Sequence, residues 1–152
     1  MPENASVEVT YNSVYRQRLD EKRRVPIPHR WRSGKGEEFF LLIWSQHKAG
    51  TCLRALTPNQ MTKLRQKIDE MPDRDPNKSV LKRRIGSLSI NVSVDATGRI
   101  AIPEEMTAAA EIASDAVFVG MLDRFEIWSP KRYAEVEKLD NALLADAMQL
   151  LE

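Results

Sequence analysis

The hydrophobic pattern changes period along the chain. From Val7 to Leu19, "VEVTYNSVYRQRL" mixes β-branched and aromatic residues with polar ones and predicts extended chain, with a hairpin folded near Asn12 as one option. "RVPIP" alternates, but Pro26 and Pro28 cannot donate to a sheet ladder, so it predicts an edge or interrupted strand. "HRWRSGKGEE" predicts a short helical turn or loop ending at Gly34 and Gly36. "FFLLIW" at Phe39 to Trp44 is the best buried strand by length and continuity, and "CLRAL" predicts another after a turn at Gly50.

At Thr57 the period becomes helical. "TPNQ" is a capping box, with Thr57 as N-cap, Pro58 at the first helical position and Gln60 three residues on. The helix it opens puts Met61, Leu64 and Ile68 on one side and stops before Pro72. "PDRDPNK" is linker-like, "SVLKRRIGS" predicts a helical segment ending at Gly86, and "LSINVSV" alternates as a strand.

The second half then repeats the first in order. "LDEKRRVPIP" returns as "VDATGRIAIP", with Asp95, Arg99 and Pro103 standing 75 residues after Asp20, Arg24 and Pro28. A short helix at "EEMTAA", strands at "AVFVG" and "FEIW", and a helix opened by Ser129 and Pro130 follow. "ALTP" and "IWSP" match at a spacing of 72, the slip that an insertion or deletion in a duplicated surface loop produces. The chain is an internal tandem repeat. Beyond Pro130, Tyr133, Val136, Leu139, Leu143, Ala147 and Leu150 form an apolar stripe at helical spacing, suited to a core or a subunit contact.

A length of 152 residues fits one ordinary domain or two small ones sharing a core. No apolar run approaches a membrane span, and "MPENASVEV" lacks the basic start and apolar core of a signal peptide. The single cysteine, Cys52, excludes an internal disulfide, fits a reducing cytoplasm and is expected in the core, as are Trp31 and Trp128. The net charge of +1 conceals an asymmetry. Arg16 to Lys35 holds eight basic residues against two acidic ones, whereas Glu104 to the end holds four against eleven. A basic run is often a solvated face, yet a local excess of this kind is also what a phosphate backbone responds to.

In the repeated motif, an Asp at the start of a turn bonds backbone amides two or three residues on, and Gly98 supplies a positive-φ position before Arg99. Two readings follow. Asp and Arg pair with each other and close the hairpin, a contact contributing about 0–1 kcal/mol when exposed. Alternatively, each Arg is presented as a fork to phosphate or guanine edges. Two copies in register, one inside the most basic segment, favour a nucleic-acid surface. Signals for catalysis are absent: there is no phosphate-cradling glycine loop, no metal-spaced His or Cys cluster, and His29 and His47 form no recognisable pair. No cofactor or metal is expected.

The motifs "LDEKRRVPIP", "VDATGRIAIP" and "VGMLDRFEIWSPKRYAE" resemble the MraZ family of bacterial transcriptional regulators, in order from about Tyr11 to Tyr133. The resemblance implies an α+β, mainly β fold of two tandem AbrB/SpoVT-like swapped-hairpin modules forming a pseudo-dimer, with short helices and a C-terminal helix. The modules are expected at 7–71 and 89–135, with a connecting segment at 72–88 and the C-terminal helix at 136–152. It further implies a cytoplasmic, nucleoid-associated repressor of the division and cell-wall operon. Such a protein assembles as a ring-like homo-oligomer on double-stranded promoter DNA carrying spaced G-rich repeats, without a membrane partner. Carried over by position, the DNA-binding residues are Asp20, Lys22, Arg23, Arg24, Asp95 and Arg99. Arg23 stands where the family has glycine, at a cost of about 1 kcal/mol for positive φ, so the first turn is either reshaped or simply more basic. Thr97 stands where the family has Lys and removes a charge near Arg99. The first module is therefore expected to grip DNA more strongly than the second. The rival reading is an oligomeric scaffold or antitoxin-like interaction module, which has no need of the basic excess.

Overall fold

The computed structural model describes residues 9–34 and 36–152. Val7 and Glu8 of the expected N-terminal extended segment, and Lys35 of the basic run, lie outside them.

Three helices begin with the same local chemistry, a side-chain cap followed by proline. Thr57 Oγ1 accepts from the Gln60 amide at 3.1 Å and opens α1 (Pro58–Asp69). Asp75 Oδ1 accepts from the Asn77 amide at 2.9 Å and opens α2 (Pro76–Ser87). Ser129 Oγ accepts from the Arg132 amide at 3.2 Å and opens the long C-terminal helix, called α4 here (Pro130–Gln149). In each the proline occupies a first-turn position whose amide would lack an intrahelical partner. The linker expected at "PDRDPNK" is accordingly shorter than its composition suggested, because Asp75 and Pro76 form a helix start. The short helix α3 (Glu104–Ala109) completes the set. The single helix α4 crosses the expected boundary at 135–136 without interruption.

Eight antiparallel strands accompany the helices among the described residues: β1 (Val14–Arg18), β2 (Arg24–Pro26), β3 (Glu38–Trp44), β4 (Cys52–Leu56), β5 (Ser89–Ser93), β6 (Arg99–Ala101), β7 (Asp115–Gly120) and β8 (Phe125–Trp128). Six form one sheet in the order β1-β7-β8-β4-β3-β5, and β2 pairs with β6 in a second. The larger order is symmetric under exchange of the repeats. The first strand of each repeat pairs with the third strand of the other: Tyr15 opposes Phe118 and Leu41 opposes Ile90. This is an α+β, mainly β architecture with strands exchanged between the repeats, as the family resemblance implied.

The swap also replaces the hairpin considered near Asn12. Ser13 takes a φ of 76°, β1 continues as one strand, and Tyr11 exchanges two backbone hydrogen bonds of 2.8 Å with Leu122. Its pairing partner comes from the second repeat, so no local turn is needed. The alternating strand β5 likewise lies at a sheet edge, with Ile90 and Asn91 exposed.

The core collects side chains from both repeats. Trp31, in a 3-10 turn at His29–Trp31, is fully buried between Tyr11, Tyr15 and Phe125, its ring centroid 4.9 Å from that of Phe125. Its indole N–H donates to the Asn12 carbonyl at 2.9 Å, which satisfies the one polar atom of the ring. Under α4, Cys52, Val117, Trp128 and Val136 form a smaller cluster. Burial pushes the Cys52 thiol up to about 12, so it is an inert core residue as expected. Between the central strands, Arg54 opposes Glu126, with the guanidinium 3.6 Å over the Trp44 ring. Glu126 in turn accepts from the Trp128 indole at 2.8 Å.

Because the repeats share one sheet and one core, urea denaturation followed by circular dichroism should show a single transition. Trp31→Ala should lower its free energy by about 3–5 kcal/mol without splitting it in two.

Candidate nucleic-acid interface

The pairing of β2 with β6 decides where the two motif turns lie. Val25 opposes Ile100, Arg24 opposes Ala101 and Pro26 opposes Arg99, so the turns at Asp20–Arg24 and Asp95–Arg99 flank one two-stranded ribbon. The ladder extends beyond the strands at both ends: the Ile27 amide donates to the Gly98 carbonyl at 2.9 Å, and the Ile102 amide to the Arg23 carbonyl at 3.0 Å.

The two turns are built alike. Asp20 Oδ1 accepts from the amides of Lys22 and Arg24 at 2.9 and 2.8 Å. Asp95 Oδ1 accepts from those of Thr97 and Arg99, both at 2.9 Å. The amide of Asp20 donates to the Arg24 carbonyl at 2.9 Å, and that of Asp95 to the Arg99 carbonyl at 2.8 Å. These amide bonds favour the ionised carboxylates and hold both acids below the usual carboxylate range, the amide of the motif arginine being the largest cause at each.

Arg23 does not reshape the first turn. Its φ of 59° matches the left-handed conformation of Gly98 at 82°. The conformational cost is met by contacts that a glycine lacks: Arg23 Nε donates to the Ile102 carbonyl at 3.1 Å, beside the backbone bond between the same two residues. At the equivalent place in the second turn, the guanidinium comes from elsewhere. Arg32 Nε donates to the Ile27 carbonyl at 2.9 Å, and its Cζ would lie 2.3 Å from a Cβ built on Gly98. One side therefore uses the residue at the glycine position, and the other needs a true glycine so that Arg32 can pass over it.

The motif arginines also differ. Arg24 Nε pairs with Asp20 Oδ2 at 2.8 Å. Arg99 reaches across to the same oxygen, Nη1 to Oδ2, at 3.3 Å, while its Nε donates to Thr97 Oγ1 at 2.9 Å and Thr97 Oγ1 donates to Asp95 Oδ1 at 2.8 Å. Thr97, at the position where the resemblance implies lysine, thus supplies a hydroxyl that steadies Arg99. The structure brings Asp20, Arg23, Arg24, Asp95 and Arg99 to one ribbon, with Lys22 exposed on the first turn. Sequence reasoning missed the Arg99–Asp20 contact and Arg32, since both depend on the approach of the other repeat. The "RWR" after the proline was the one available hint.

Two interlocked α+β repeats that present a pair of Asp-x-x-x-Arg turns on one ribbon define the class of fold. A profile of the family described as "MraZ protein, putative antitoxin-like" matches residues 89–149. The "Transcriptional regulator MraZ" of Alcanivorax borkumensis is 31% identical over 135 residues, covering 88% of this chain and 92% of its own. That of Leuconostoc citreum is 31% identical, with 78% and 80% covered, and that of Cereibacter sphaeroides 29% identical, with 93% and 95% covered. The chain belongs to the MraZ family.

Two outcomes are expected. Gly98→Ala should destabilise by about 1–3 kcal/mol in thermal melts, with part of that loss absent in an Arg32→Ala background, where the clash is gone. Since the Asp20 and Asp95 carboxyls titrate lower when folded, the stability they contribute is complete above the unfolded-state value and is lost as pH falls through the folded one. Melting temperatures of Asp20→Asn and Asp95→Asn should therefore converge on wild type in acid and fall below it near neutrality.

Proposed function

We propose that this protein is a sequence-specific DNA-binding transcriptional regulator. The observation that carries the reading is the pair of equally built turns, each holding an arginine beside the other on one ribbon. Relatives matching most of the chain bear the name of transcriptional regulators. The two working units, 7–71 and 89–135, contribute one turn each; 72–88 connects them and 136–152 is the C-terminal helix.

In this reading Asp20 and Asp95 set the turns rather than touching DNA. Arg24 and Arg99 exchange their carboxylate contacts for phosphate oxygens or guanine edges, where a planar fork bonds in pairs. Lys22 and Arg23 add positive charge to the first turn. Because Arg99 is tied to Thr97 and to Asp20, whereas Arg24 is tied to Asp20 alone, Arg24 is the freer of the two and the first turn makes the stronger contact. The protein represses the operon for division and cell-wall genes from the cytoplasmic nucleoid, as a ring-like oligomer spanning spaced G-rich repeats.

The test is a titration of wild type, Arg24→Ala and Arg99→Ala against the chain's own upstream DNA at several salt concentrations. Specific binding with a steep salt slope is expected. Arg24→Ala should lose about 1–3 kcal/mol together with sequence preference, and Arg99→Ala less. Equal losses would remove the ranking of the turns. Unchanged affinity in both would assign the arginines to holding the hairpins and favour the scaffold reading.

A further inference from the structure

Two surfaces of opposite character stand toward opposite ends of the large sheet. One is the distal half of α4. Val136 packs on Val117 and Trp128, but every residue from 141 onward is exposed, including Leu143 at 66% and Leu150 at 87%. From residue 141 to the end the charged residues are Asp146 and Glu152, both acids. Helical turns that pack on nothing are marginal in water, and an amphipathic projection of this kind is stabilised by covering its apolar side.

The other surface is a groove of about 390 Å³ between α1, α2 and the β3–β5 end of the sheet. Phe40, Met61, Ile68 and Ile85 give it an apolar lining, and Arg65 and Lys82 stand among them. The acid in the lining, Asp69, is paired with Lys82 at 3.3 Å. Helix α2 adds Arg83 and Arg84 and has no acid of its own between Pro76 and Ser87. It also has no counterpart in the second repeat, which is why the groove exists beside α1 and not beside α4.

We propose that the distal half of α4 from one copy of this chain lies in the α1–α2 groove of another, with Leu143 and its neighbours on the apolar lining and Asp146 against Arg65 and Lys82. The charges are complementary, and the two patches are different surfaces. The contact is therefore head to tail, and its repetition closes a ring or extends a filament. It rests on the reading of the protein as a ring-like oligomer and names the surfaces that build it; it does not depend on DNA binding.

Light scattering across a concentration series gives the mass of the full chain and of Leu143→Asp/Leu144→Asp, a pair exposed enough to leave the fold intact. Wild type should be a multiple of the 17.4 kDa protomer, and the double variant a single protomer that keeps a folded circular dichroism spectrum and a cooperative melt, at a lower midpoint than the assembly. Arg65→Glu/Lys82→Glu should weaken assembly at least tenfold, with partial recovery on adding Asp146→Lys. In a chain carrying Ile85→Cys and Leu143→Cys, mild oxidation should link separate copies, since buried Cys52 does not compete. A wild type that remains one protomer, or a Leu143→Asp/Leu144→Asp variant that keeps its oligomeric mass, would overturn the interface. A disassembled variant that still shifts a single-repeat DNA probe supports the interface and separates it from the DNA reading. A wild type that shifts that probe yet never exceeds one protomer overturns the interface alone.

Discussion

Neither repeat can finish a sheet from its own strands. Among the described residues β1 and β5 find their ladder partners in β7 and β3, across the duplication, and the ribbon and the shared core follow from that exchange. Strands of three to seven residues are individually too short to be stable, so they gain order only as members of the shared sheet. The exchange brings β2 against β6, and that pairing puts two turns, more than seventy residues apart in sequence, on one ribbon. It also makes the core common property: Trp31 from the first repeat is packed by Phe118 and Phe125 from the second.

Local chemistry was legible in the sequence and partner choice was not. Thr57-Pro58 and Ser129-Pro130 announce helix starts because the cap and the proline act on their own neighbours. Asp75-Pro76 carries the same signal but sits among charges that resemble a linker. The spacings of 75 and 72 exposed the duplication because matching residues keep matching jobs. Strand exchange leaves no mark within one segment; it came from the family resemblance, and without it the N-terminal segment reads equally well as a hairpin near Asn12. In the candidate site, the Asp-x-x-x-Arg turns were visible, whereas Arg32 was hidden. Its place over Gly98 exists only once the repeats have interlocked.

The turns also show how a duplicated site can diverge while its backbone stays the same. Arg23 and Gly98 adopt one left-handed conformation, yet one contributes a guanidinium and the other clears the way for a different one. A strained non-glycine residue persists where its surroundings fix it, and here the Ile102 backbone binds Arg23 through both its carbonyl and its side chain. The Thr97 hydroxyl provides a second example, taking over by hydrogen bonding a position that a lysine would fill with charge.

At the centre of the large sheet, Arg54 and Glu126 occupy matching positions of the two repeats and face each other across the exchange axis. A symmetric pair of identical chains would have to set arginine against arginine there, or glutamate against glutamate, and like charges directly opposed destabilise a sheet. Joining the repeats in one polypeptide removed that restriction and let the axis become an acid–base couple. Having done so, it made the halves unequal: two copies of either one, paired alone, would bring like charges face to face on the axis.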